Sequence, residues 1–112
     1  MRIALVALLV IVSCKQQLPA VSQSGVVEVT VTEKGFEPER VQAKPGQAVT
    51  LRFTRKAAQT CADAVRVQGD PVQHMLPLNA PVDVKVSAPA SGELAFACPM
   101  NMYRGAIVVV AQ

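Results

Sequence analysis

An all-β, antiparallel sandwich of seven or so short strands is the fold class this sequence predicts. Valine-rich runs alternate apolar and polar residues with a period of two, as half-buried strands require. Proline and glycine recur between those runs, and no stretch keeps a helical period over a convincing length. The chain has 112 residues, enough for one domain with a core that closes without help from disulfides or metal.

Taken in order, the chain opens with an address. Met1-Arg2 gives a positive start and Ile3 to Val12 an apolar run. That run falls well short of the roughly 20 residues that span a bilayer, so residues 1–13 read as a signal peptide. Lys15 to Ser24 is polar and without periodicity. With Cys14 it forms a tether over residues 14–24, whose polar part reaches at most about 35 Å. The body runs over residues 25–112.

Within the body, Val27, Val29 and Val31 alternate with Glu28, Thr30 and Thr32, which predicts the first strand. Glu33-Lys34-Gly35 turns the chain, and Phe36 is placed to plug one end of the core. Arg40 to Ala43 makes a short second strand, closed by Pro45-Gly46. Val49, Leu51 and Phe53 face inward opposite Thr50, Arg52 and Thr54. Arg55 to Thr60 is a polar loop, after which Cys61, Val65 and Val67 share one parity. Residues 68–80 are irregular and hold Pro71, Pro77 and His74. Val82, Val84 and Val86 alternate with Asp83 and Lys85, Pro89 to Gly92 turns, and Leu94, Phe96 and Cys98 share one face. Ala106 to Ala111 is an apolar last strand.

Composition narrows the function. Net charge is +3, with basic residues scattered and only one Tyr and three Phe, so nucleic-acid binding has little support. No Ser/His/Asp set, carboxylate pair or glycine-rich phosphate loop occurs, and catalysis is not expected. Chemistry concentrates instead in Cys98-Pro99-Met100-Asn101-Met102, read with Cys61. If the backbone stays extended there, Cys98, Met100 and Met102 project from one face at steps of about 6.6 Å. Thiolates and thioethers together are soft ligands that select Cu(I) over harder ions, which points to copper handling. Two thiolates bind Cu(I) tightly because they also neutralise its charge, while neutral thioethers bind weakly.

Two resemblances extend this reading. Ile11-Val12-Ser13-Cys14 resembles the lipobox of bacterial lipoproteins, which implies a lipid on Cys14 and a place in the cell envelope. With Lys15 next, and no Asp there, it implies the outer membrane in a cell that has one. From Val27 to Val110 the order of features resembles a cupredoxin. The carriers of that resemblance are Gly35-Phe36-Glu37-Pro38, Lys44-Pro45-Gly46, Leu51-Arg52-Phe53, a metal residue after the third strand and a Cys ending the penultimate one. It implies a cupredoxin-like Greek-key β-sandwich, antiparallel or mixed, of about seven or eight strands. Cys61 stands where electron-transfer cupredoxins place a first His, and no His follows Cys98. The lone Cys followed by Cys-x-Met-x-Met is most similar to membrane-anchored cupredoxin-domain Cu(I) chaperones of the CupA type. That resemblance implies a tight Cu(I) position dominated by Cys61 and Cys98 and a weaker, more exposed one using Met100 and Met102. It also implies a monomer that passes copper to a protein partner: an exporting P-type ATPase, another chaperone or an oxidase under assembly.

Other readings stay open on the residues alone. Cys61 and Cys98 can form a structural disulfide in an oxidising compartment, making the domain a metal-free envelope binding module. His74 is a further candidate ligand, though a packed or solvated histidine is the simpler reading. Zinc on Cys61, Cys98, His74 and Asp63 ranks below copper, since Met is a poor zinc ligand. An electron carrier would need the His₂Cys set that a single His cannot supply. Arg55, Lys56 and Arg104 are candidates to edge the site or meet an acidic partner, though solvated surface is the simpler reading of each.

Overall fold

Residues that alternate in sequence alternate in burial. The computed structural model describes residues 19–21 and 24–110. In β1 (Val26–Thr32) Val27, Val29 and Val31 are buried and Glu28 is exposed. β2 (Gly35–Glu37) folds back on it as a hairpin arm, and β3 (Arg40–Ala43) follows. β4 (Ala48–Arg55) buries Val49, Leu51 and Phe53, the strongest alternation in the chain. Then come β5 (Ala64–Val67), β6 (Gln73–Met75), β7 (Pro81–Ser87), β8 (Glu93–Ala97) and β9 (Arg104–Val109).

Among the described residues these nine strands form two sheets, ordered β2-β1-β4-β7 and β3-β9-β8-β5-β6. The expected all-β sandwich is what forms. Its sheets are mixed: β1 runs parallel to β4 and β3 parallel to β9, while the other pairs are antiparallel. The strand count exceeds expectation because β2 and β6 are three residues each, too short to show a period. β6 therefore lies inside the stretch read as irregular. β5 begins at Ala64 rather than at Cys61, and β9 begins at Arg104, two residues before the predicted start.

The core fills the space between the sheets. Leu51, Phe53, Val31, Val65 and Ile107 are fully buried, each contributing about 1.5–3 kcal/mol relative to exposure. Three rings lock the middle: Phe36, Phe53 and Phe96 pack edge to face in all three pairs, with centroids 5.1–5.9 Å apart. Phe36 plugs the core as expected. Phe96 needs the bare backbone of Gly105, where a Cβ would stand 2.3 Å from its ring.

The tether is shorter than its composition suggests. Ala20 pairs in parallel with Gln42 of β3, the Gln42 N–H donating to Pro19 C=O and the Val21 N–H to Gln42 C=O, both at 2.9 Å. Val21 packs against the core. The edge of β3 is thus covered rather than left as an open ladder. Residues 1–13, Cys14 and Lys15 lie outside the described residues, and with them the signal peptide and lipidation site.

Candidate metal centre

β8 delivers Cys98 to the end of the sandwich. Phe96 faces the core, and Cys98, on the same parity, is fully buried. The strand itself stops at Ala97. Beyond it the chain turns: the Asn101 N–H donates to Cys98 C=O at 2.9 Å, and Asn101 has φ +56°. Pro99 takes the second position of this turn, which suits its fixed φ, and Asn tolerates the left-handed region better than most residues. The extended sulfur ladder therefore does not form. Pro99 to Met102 instead make the tip of a hairpin loop, closed by the Cys98 N–H donating to Tyr103 C=O at 3.1 Å. Met100 and Met102 ride on that tip, 70% and 66% exposed.

Cys61 arrives from the loop between β4 and β5, three residues before the buried Ala64 begins its strand. It is partly exposed and packs against the core beside Cys98. The two Sγ atoms are 3.9 Å apart, and both cysteines are free thiols. Cys98 Sγ also receives the Tyr103 N–H at 3.4 Å. Burial pushes the Cys61 thiol up, reinforced by its hydrogen bond to Cys98 and by that neighbour's charge. Burial pushes Cys98 up as well. There, backbone hydrogen bonds from Tyr103 and Met102, the Cys61 contact and a further bond from Met100 outweigh it and leave the thiol below its ordinary value. The pair thus gives up its first proton at Cys98, where donors surround the sulfur.

The spacing can be tested against a metal. With metal–sulfur bonds of about 2.3 Å, as in zinc thiolates, sulfurs 3.9 Å apart subtend about 115° at a shared ion. That angle is close to trigonal and leaves room for a third soft ligand. A linear two-sulfur site would need the atoms about 4.6 Å apart on the same bond length.

Tyr103 is the residue that sequence reasoning missed. Its backbone clasps Cys98 through both N–H and C=O. Its hydroxyl donates to Glu33 C=O at 2.8 Å, and its ring lies against Gly35. Gly35 has φ +116° and a Cβ there would meet the ring at 2.9 Å. A lone Tyr five residues after a Cys carries no pattern of its own; only the packing of the β1–β2 turn, at Glu33 and Gly35, against the start of β9 in the other sheet makes it a brace.

The other candidates fall elsewhere. His74 lies on β6 opposite Val65 and bonds Asp70 at 2.8 Å. That bond, with a backbone N–H from Val72, holds the Asp70 carboxyl below its ordinary value. Asp63 is exposed, and its C=O accepts the Leu76 N–H. Among the described residues no group of three or more His, Cys, Asp or Glu is gathered, so the zinc set does not assemble. Lys56 and Arg104 are exposed, while the Nε of Arg55 is buried without a hydrogen-bond partner. An open depression lined by Thr32, Glu33, Lys34, Glu37, Lys56 and Ala57 carries no sulfur; a metal held by two thiols needs no cavity.

A mixed two-sheet sandwich with a Cys closing its penultimate strand, over a loop that returns into the last strand, defines the cupredoxin class of protein. The chain belongs to the cupredoxin-like domain family, which matches it over residues 1–109. No curated protein matches it in sequence. It is similar in structure to the metal-binding domain of the Cu(I)-exporting P-type ATPase CopA of Streptococcus pneumoniae D39, with Cu(I). That likeness has TM-score 0.74 and 19% identity over 87% of this chain and 99% of that one. It is also similar to a copper binding protein in its apo form, with TM-score 0.72 and 28% identity over 84% and 98% of the two chains. A dithionite-reduced auracyanin from Roseiflexus castenholzii follows, with TM-score 0.62 and 15% identity over 80% and 100%.

Proposed function

We propose that this protein is a Cu(I) carrier of the cell envelope, anchored through a lipid on Cys14, that passes copper to a protein partner. The observation that carries the reading is the pair of free thiols at 3.9 Å, one of them fully buried, at the base of a loop that exposes two methionines. Two thiolates, those of Cys61 and Cys98, make the tight position. Met100 and Met102 form the weaker position, where an ion enters or leaves by ligand exchange without being released free. The likeness to a copper binding protein at 28% identity supports the same metal. His74, engaged by Asp70, has no part in this reading.

Anaerobic Cu(I) titration of the reduced protein against a competing chelator tests it. The expected result is one tight and one weaker Cu(I), both colourless. An intense blue band with Cu(II) would instead mark an electron carrier. Failure of the reduced protein to retain any Cu(I) would favour a domain closed by a structural disulfide.

A further inference from the structure

In a His₂Cys copper centre one thiolate shares the ion with two imidazoles, and those nitrogens are what hold the oxidised metal. This chain offers a different set. A second thiol stands 3.9 Å from the first. The only His of the sequence is bonded to Asp70. No group of three or more His, Cys, Asp or Glu is gathered among the described residues. A Cu(II) ion that meets Cys61 and Cys98 finds no hard ligand cage, and finds two electrons within reach.

We infer that the Cys61–Cys98 pair reduces Cu(II). Each thiol gives one electron to one Cu(II), the two Sγ atoms join in a disulfide, two protons pass to solvent, and two Cu(I) ions result. This rests on the copper reading above and adds an activity to it. Closure from 3.9 Å to the S–S bond length of about 2.05 Å needs a movement of under about 2 Å. Cys61 is the sulfur that moves. Cys98 is held by the Tyr103 clasp and by the turn to Asn101, whereas Cys61 lies in a partly exposed loop outside any strand. The loop sulfurs complete the arrangement. Met100 and Met102 are thioethers with no proton to lose and no disulfide to form, and they are exposed where the new Cu(I) needs soft ligands. The dithiol makes the ion that the methionines then hold.

The test uses the full chain carrying Cys14→Ser, which leaves Cys61 and Cys98 as its only thiols. It is reduced, desalted without oxygen and mixed with excess Cu(II) sulfate. The Cu(II) paramagnetic signal, the free thiols and the peptide masses are followed together. The expected result is two Cu(II) consumed per chain, both thiols lost and a Cys61–Cys98 disulfide in the peptide map. With Cys61→Ser added, the rate at micromolar protein falls by about a hundredfold, because a neighbour at millimolar effective concentration is replaced by a second molecule. A persistent Cu(II) signal with both thiols intact overturns the inference, as does an undiminished rate in the Cys61→Ser chain. Parallel Cu(I) titration separates this from the carrier reading. A chain that binds Cu(I) but leaves Cu(II) untouched overturns the reductant alone. One that reduces Cu(II) but retains no Cu(I) overturns the carrier alone.

Discussion

Cys61, Cys98, Met100 and Met102 carry the same element in two chemical roles, and single substitutions separate them. Cys61→Ser or Cys98→Ser removes a ligand that is charged when bound. Tight Cu(I) affinity should fall by more than about 100-fold, beyond the 10–100-fold typical of losing an outer-shell partner. Met100→Leu with Met102→Leu keeps volume and apolarity at exposed positions, so melting should be nearly unchanged. The tight ion should stay while the weak one is lost and transfer to an acceptor slows. A chelator titration of these variants reads the difference, and two Cu(I) ions retained by the double Met variant would refute the division of roles. Under the disulfide reading, either Cys change would instead cost about 2–5 kcal/mol in oxidised protein. Glycine positions give a second contrast. Gly35→Ala forces a Cβ to 2.9 Å from the Tyr103 ring at φ +116°, and should cost about 1–3 kcal/mol in denaturant unfolding. Gly46→Ala, at φ +72° with nothing within 4 Å, meets only the backbone penalty of about 1–2 kcal/mol. Because Tyr103 clasps Cys98, Gly35→Ala alone of the two should also weaken tight copper binding.

The elements that matter most are the β8–β9 hairpin and the β4–β7 pair. The hairpin sets the sulfur arrangement because the turn after Cys98 lifts both methionines away from the strand's face. β4–β7 shows how the outer surface of a sheet responds to pH. Arg52 and Asp83 are direct cross-strand partners, joined by hydrogen bonds of 2.9 and 3.3 Å. The side-chain hydrogen bond from Arg52 holds the Asp83 carboxyl below its ordinary value. A folded value below the unfolded one means the stabilisation is present above the usual carboxylate range near pH 3.9. It is lost as pH falls through the folded value. Asp83→Asn should therefore melt slightly lower than the parent at pH 7, and the two curves should converge on acidification. Since the pair is solvent-exposed, the difference should also shrink in high salt.

For the molecule as a whole, the carrier proposal joins a rigid sandwich to an anchor. With Pro19 to Val21 bonded to β3, the anchor's free reach is shorter than the composition of residues 14–24 suggests. Cys14→Ser should abolish membrane attachment in cell fractionation while the purified protein still binds copper, since the thiols of the sulfur pair are those of Cys61 and Cys98. Normal attachment in that variant would refute the lipid anchor.

Period-two burial made the sandwich legible in the residues alone. Val27, Val29 and Val31, or Val49, Leu51 and Phe53, cannot face one core unless the backbone is extended. The sulfur residues were legible too, because soft ligands are rare enough in combination to carry a meaning without coordinates. β2 and β6 were not, since three residues show no period. Nor was the hairpin tip, where a turn at Pro99 replaced the extended ladder that alternate spacing suggested. Pairing across the chain set the rest. Cys61 and Cys98 are 37 residues apart and meet at 3.9 Å because β5 and β8 lie side by side. Tyr103 became their brace because β2 and the start of β9 share one end of the sandwich. Local patterns choose the shape of each segment, but distances between distant segments come from how two sheets close over a common core.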